Sequence, residues 1–409
     1  MFSVDNFYSF FDSHYGWDKT RGMIWTFQTH GSKNLCDLMP YYDEKRYDEN
    51  RVEYLCGDIT IMHDQEPFFA DALITYKNWY SDLKKHAMWD HVEPEKMLHV
   101  LAHGITWPIF CHSEINSADI QMVKDRGFVD CYYFWHGLIA RDWFRHWKWH
   151  ADLHDNRCPE KRFMIYSRDH TGTRQYRNQL IQELFRVKGH VDYDWNNDLP
   201  KVDSSYSAKI VPDDVNRGSI QIVAETLFDH SKIHLTEKVF KPMVMRQPFF
   251  LVAAPGSLEY LRSYGFKTFG DVWDESYDDE FDHQRRLSMI VQEIENICNL
   301  DQTRFDRLNE KCSEIVAHNH RHFFSQEFEN QLLNELHSNM KAAQEIQQER
   351  NLTQPGGNVF YLADYVLKKN KGWSDHFSGW IHKLCDHLHK TQPVRFNKIR
   401  DHYPWIKDL

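Results

Sequence analysis

An excess of positive charge, clustered cysteines, long apolar runs and low-complexity stretches are all missing from this chain. Lys and Arg number 49 against 60 Asp and Glu, a formal charge of -11 at pH 7. That balance excludes a protein that coats nucleic acid through its whole surface and leaves only a local basic patch open. The eight cysteines stand far apart, with no C-x-x-C pair and no zinc-ribbon spacing, so they read as reduced and mostly buried thiols. No window approaches the roughly 20 apolar residues of a membrane span. The N-terminal MFSVDNFYSFFDSHYGWD has no basic region and carries acids where a signal peptide would be apolar, which predicts a cytoplasmic protein. With 17 Gly, 13 Pro, 41% hydrophobic and 15% aromatic residues, disorder is excluded as well.

What is present is enough chain for more than one core. At roughly 150 residues per domain, 409 residues predict two domains and an extension, and two domains imply a cleft. Residues 1–155 alternate short Val-, Ile-, Tyr- and Phe-rich runs with helix-like stretches, as an α/β domain does. The polar HADLHDNRCPEKR at 150–162 marks a boundary before the strand-like RFMIYS. Residues 156–348 repeat the rhythm: TRQYRNQLIQELFRV with Tyr176, Leu180, Leu184 and Val187 at helical spacing, the strand SIQIVAET, a helix from Thr236, the apolar PFFLVAA, and the helix PGSLEYLRSYGF. That order predicts a parallel sheet with ligands at the carboxyl ends of its strands. Long helical patterns follow from 283, and the Pro-Gly-Gly break at 355–357 leads into the C-terminal extension, 349–409.

The chemistry concentrates in residues 219–273. Glu225 closes a strand, and Thr236 stands where it would cap the helix opened by Glu237 and Lys238. A helix N-terminus offers N–H groups and partial positive charge to a diphosphate, a carboxylate can accept ribose hydroxyls, and a lysine neutralises phosphate. Equally, Glu237 can be a first-turn acid complementing the helix dipole and Lys238 a solvated charge.

The passage resembles the donor-binding signature of the α1,3-fucosyltransferase family. The matching pieces are Glu225, the loop LFDHSKIHL, Thr236-Glu237-Lys238, the strand Pro248-Phe249-Phe250-Leu251 and the turn Pro255-Gly256-Ser257, together with FMIYSRDHTGTRQYRNQL upstream, so the resemblance covers about residues 160–275. It implies a GT-B fold, two Rossmann-like domains facing a cleft, and a glycosyltransferase that moves a sugar from a nucleotide-sugar donor to an acceptor hydroxyl, a glycan above all. It places Arg168 and Lys238 on the diphosphate and Glu237 on the ribose. Arg174 and Arg177 join Arg168 in a basic cluster, or line a solvated helix face. Ala224-Glu225-Thr226 and Ile233-His234 stand where the family carries aromatic-Glu-Asn and Asp-Tyr, so the nucleotide and the sugar stay open.

An inverting transfer needs a general base. A predicted strand runs into His63, Asp64, Gln65 and Glu66, with Pro67 suited to a first helical position, so Glu66 is the first candidate, ahead of Asp64 and His63. Asp64 can equally be a helix cap. His112-Ser113-Glu114 and His136 follow apolar runs in the same way and are acceptor-side candidates. No cofactor or metal is expected. Asp192 and Asp194 in VDYDW have metal-pair spacing but a polar-loop setting, and His318 and His322 lack the glutamate of H-E-x-x-H. Two alternatives remain: a sugar-binding module on an inactive GT-B scaffold, and a transferase acting on a hydroxylated base in DNA, with KKNKGW and RFNKIR on phosphates.

Overall fold

The computed structural model describes residues 22–26, 59–63, 107, 109–125, 127–146, 158–167, 169–193, 210, 216–368 and 375–408. They divide into two compact units interleaved along the chain. The first holds Glu114–Ser117 and Phe134–Asn334, and the second holds the described residues before Glu114, Ala118–Tyr133 and those from Glu335 onward. Each contains a parallel sheet with helices, so the α/β class stands.

In the second unit the strands β1 (Gly22–Thr26), β2 (Ile59–His63), β3 (Ile109–His112) and β4 (Val129–Tyr132) pair in parallel in the order β1-β2-β3-β4. Helix α1 (Ala118–Asp125) lies between β3 and β4 in sequence. The first unit begins its helices with α2 (Trp135–His146) and its sheet with β5 (Lys161–Ile165). There follow α3 (Tyr176–Leu184), β6 (Val191–Asp192), β7 (Gly218–Ala224), α4 (Glu237–Val244), β8 (Phe249–Val252) and α5 (Ser257–Ser263). The chain then becomes wholly helical: α6 (His283–Cys298), α7 (Gln302–Phe323) and α8 (Gln326–Thr353). The unit boundary falls within α8, and the second unit closes with α9 (Gly357–Lys368), α10 (Asp375–Thr391) and α11 (Pro393–His402).

The first unit's sheet is parallel in the order β6-β5-β7-β8. β7 and β8 are covered on both faces: every residue of β8 is buried, and all but Ser219 in β7, where Gln221 is buried among apolar residues. Gly218 is where β7 comes closest to its neighbour. A Cβ there would sit 2.5 Å from the Phe163 carbonyl carbon and 2.7 Å from the Met164 nitrogen, so only glycine lets the two backbones meet. Helix α6 starts where the Asp282 carboxylate accepts from the Arg285 N–H at 2.8 Å, and α7 repeats the device with Asp301 and Arg304, also at 2.8 Å. Leu287, Ile290, Val291, Ile294 and Ile297 form the buried stripe of α6 at helical spacing. Each such side chain contributes about 1.5–3 kcal/mol through burial.

The second unit packs around Trp107, whose ring meets Tyr361 edge-on at 5.3 Å and lies under the Arg350 guanidinium at 5.1 Å. Its indole N–H donates to the Gln354 carbonyl at 3.3 Å. No helix among the described residues is long and apolar enough to cross a membrane.

Candidate functional site

Chain order fixes where the first unit can hold a ligand. From β5 the chain steps outward to β6, then resumes at β7 on the other side of β5. The connections leaving the carboxyl ends of β5 and β7 therefore part, and in open parallel sheets that reversal opens a crevice. Ser167, Asp169 and His170 follow β5, and Glu225 and Thr226 follow β7.

Arg177 on α3 joins the two sides. Its guanidinium donates to the Asp169 carbonyl at 2.9 Å, to Ala224 at 2.7 Å and to Glu225 at 2.9 Å. The neighbouring Tyr176 hydroxyl donates to the Glu225 carbonyl at 2.6 Å, and burial pushes its pKa up to about 12, so it stays a donor. Arg177 thus works as a brace for the backbone of the crevice. Arg174 is half-buried and pairs with Asp169 at 3.2 Å. Asp169 also accepts from the Thr171 N–H at 3.0 Å and hydroxyl at 2.8 Å. Burial works to raise the Asp169 pKa, but those bonds and the charges of Arg174 and Arg177 outweigh it and hold the carboxyl below its usual range.

Beyond β7 the Glu225 carboxylate, fully buried, accepts from the Thr236 N–H at 3.1 Å and the Thr236 hydroxyl at 2.7 Å. Thr236 in turn caps α4, its oxygen lying 3.4 Å from the Lys238 N–H. The strand end and the helix start are therefore one hydrogen-bonded unit eleven residues apart in sequence. Burial raises the pKa of Glu225, with Lys238 and Thr236 opposing. The Lys238 ammonium donates to the Thr236 hydroxyl at 2.9 Å and the Thr226 hydroxyl at 3.4 Å, and lies 3.4 Å from the Glu237 carboxylate, with its side chain 24% exposed. It is a cation at the mouth of the site. The Glu237 carboxylate, fully buried, has one oxygen toward Lys238 and the other 3.6 Å from the His136 Nδ1, and the His136 ring meets His234 edge-on at 5.1 Å. As it stands, the Glu237 carboxylate is closed to a ribose.

In comparisons with protein-family models, curated proteins and solved structures, nothing matches this chain. The site is characterised by its own geometry.

The structure thus gathers Arg174, Arg177, Glu225, His234, Thr236, Glu237, Lys238 and His136 in the first unit. Glu114 is there too, buried and paired with Lys232 at 3.2 Å, and it accepts from the Ser117 hydroxyl at 2.6 Å. His112 belongs to the second unit, where its Nε2 lies 2.6 Å from Asp130. His63 ends β2, while Arg168, Asp64 and Glu66 lie outside the described residues. Asp192 is paired with Arg217 at 2.7 Å, and Asp194 lies outside the described residues. His318 and His322 place their Nε2 atoms 2.9 Å and 2.6 Å from the carbonyls of Gly265 and Tyr264, closing the end of α5. Among the described residues no cluster could hold a metal ion.

Sequence reasoning missed Tyr176, Thr226 and Asp278. The Asp278 carboxylate accepts from the Leu258 N–H at 3.0 Å and 2.9 Å and from the Glu259 N–H at 3.2 Å, so the start of α5 already holds an anion of the protein's own. The Gly256, Leu258 and Glu259 amides at this turn are therefore already taken by Asp278. No local pattern connects Asp278 to a helix start twenty residues earlier.

Proposed function

We propose that the first unit binds a nucleoside-diphosphate sugar in the crevice between the carboxyl ends of β5 and β7, and that the chain is an inverting, metal-independent glycosyltransferase of GT-B type with a glycan acceptor. The observation that carries this reading is the partly exposed ammonium of Lys238, anchored by the hydroxyls of Thr226 after β7 and Thr236 at the cap of α4, beside the reversal of strand order. A departing nucleoside diphosphate develops negative charge on its bridging oxygen. A fixed ammonium and a helix N-terminus stabilise that charge with no reorganisation at the moment of transfer.

Glu225 and Thr236 hold Lys238 in place, and Arg177 and Tyr176 hold the strand ends that carry them. Arg168, which lies outside the described residues, is assigned as a second diphosphate ligand. The acceptor hydroxyl must lose a proton as the sugar arrives, and the role of base is assigned to Glu66, with Asp64 and His63 as the alternatives. Glu237 reaches a ribose only if the start of α4 opens toward the crevice.

The test is turnover of nucleotide sugars by wild type and Lys238→Ala, read as release of nucleoside diphosphate with and without glycan acceptors. Removal of a charge-stabilising group should lower kcat/KM by on the order of 10²-fold or more with melting unchanged. Equal turnover in the variant would remove Lys238 from the donor site, and tight sugar binding with no turnover by wild type would favour an inactive module.

A further inference from the structure

At the opposite end of the same sheet the first unit has a cavity of about 770 Å3. Lys161, Ser219 and Pro248 line it at the amino ends of β5, β7 and β8, and one face of α7 forms the facing wall. The volume falls within the roughly 300–1,000 Å3 of small-molecule sites.

The α7 wall is a stripe of polar groups at helical spacing: Gln302, Asp306, Asn309 and Ser313. Phe305, Cys312 and Val316 on the same face are buried, Gln302 donates to Asp306 at 2.8 Å and the Ser313 hydroxyl to the Glu310 carbonyl at 2.6 Å, so the stripe presents the Asn309 amide together with acceptor oxygens of Asp306, Gln302 and Ser313. That set matches sugar hydroxyls, which both donate and accept.

Charge gathers at the sheet side. Lys161, Arg162, Arg246 and His190 line the cavity against the carboxylates of Glu160 and Asp306. Lys161 donates to the Gly189 carbonyl at 2.9 Å, and Arg162 donates to the carbonyls of Ile297 and Cys298 at 2.7 Å and 2.9 Å. Those contacts fix both side chains without neutralising either. Burial, followed by the charges of Arg162 and Lys161, holds the His190 pKa below its ordinary value.

Arg246 adds an independent observation. Helix α4 ends in a Schellman turn, with the Gln247 N–H on the Pro242 carbonyl at 2.8 Å and the Arg246 N–H on Met243 at 3.2 Å. The residue at this turn adopts a left-handed backbone, here φ 53°, where glycine is at ease and a side chain is strained. An arginine stands there in a strained backbone, at the wall of a cavity that already carries two other cations.

We propose that this cavity binds a phosphorylated sugar, its phosphate toward Lys161, Arg162 and Arg246 and its hydroxyls on the polar stripe of α7. The assignment is independent of the nucleotide reading, since it uses the other edge of the sheet and none of the same residues.

The experiment is isothermal titration calorimetry of the full chain with glucose 6-phosphate, glucose 1-phosphate and ribose 5-phosphate, with glucose and inorganic phosphate as controls. At least one sugar phosphate should bind about tenfold or more tightly than either control. Lys161→Ala and Arg246→Gly should each weaken that binding by about tenfold, while Arg246→Gly melts no lower than wild type and Lys238→Ala binds as wild type does. Binding no better than inorganic phosphate would overturn the proposal, as would unchanged affinity in both cavity variants. An equal loss in Lys238→Ala would move the ligand to the carboxyl edge and overturn it too.

Discussion

Replacing Arg177 with Met should unfasten the crevice rather than merely remove a charge from it. The guanidinium donates to three carbonyls at 2.7–2.9 Å, of which Glu225 keeps a second donor in the Tyr176 hydroxyl at 2.6 Å. Two carbonyls, those of Asp169 and Ala224, then lose a charge-assisted bond. At about 1.5–3 kcal/mol for each such bond, and with Met filling much of the volume, the loss comes to roughly 3–6 kcal/mol. For a domain of this size 1 kcal/mol corresponds to about 2–4 °C, so the melting temperature of the first unit should fall by roughly 6–24 °C. Arg177→Lys should lie between, because one ammonium cannot reach three divergent carbonyls as a planar fork does. Scanning calorimetry gives the loss, and hydrogen exchange at Ala224–Thr226 localises it. A melting temperature within about 2 °C of wild type, together with weakened nucleotide binding, would refute the brace and return Arg177 to the ligand.

Gly218→Ala should destabilise by at least the 1–3 kcal/mol typical of overpacking, since the new methyl meets the β5 backbone at 2.5 Å rather than a yielding side chain; denaturant titration checks this, and an unchanged midpoint would contradict it. The pKa of buried Glu225 is raised above the ordinary 4.5, so its share of stability is full below that value and is lost as pH rises through the folded pKa. Glu225→Gln should therefore gain on wild type between pH 5 and pH 8 in paired melting curves, and a constant gap would sink the assignment. Glu66→Gln should keep donor affinity while transfer collapses, and near-normal transfer would remove Glu66 from the base role. Activity should survive EDTA; a complete loss restored by Mn²⁺ would return attention to Asp194 and its neighbours.

The elements that build the first unit were written locally in the sequence. β8 is an unbroken apolar run and β7 is apolar apart from Ser219 and Gln221, as strands covered on both faces are, and Thr236 is recognisable as a cap from its place before an amphipathic helix. Helical spacing carried α3 too far, however: the helix ends at Leu184, and Val187 takes a non-helical φ of -113° in the tighter turn that follows. Long-range pairings were out of reach. Glu114 meets Lys232 across 118 residues, and His318 and His322 close α5 from more than fifty residues away. Arg177 was visible as a cation, but whether it faces a phosphate or three carbonyls depends on strand order, which spacing along the chain does not encode.

The most direct measurement is hydrogen exchange by mass spectrometry on the full chain, free and saturated with each nucleoside diphosphate in turn. Binding between the carboxyl ends of β5 and β7 predicts protection in the segments 166–178 and 224–240 for the nucleotide that binds, and loss of that protection in Lys238→Ala. Protection confined to 159–162 and 302–317, at the amino edge, would contradict the account, as would the absence of protection with every nucleotide tried.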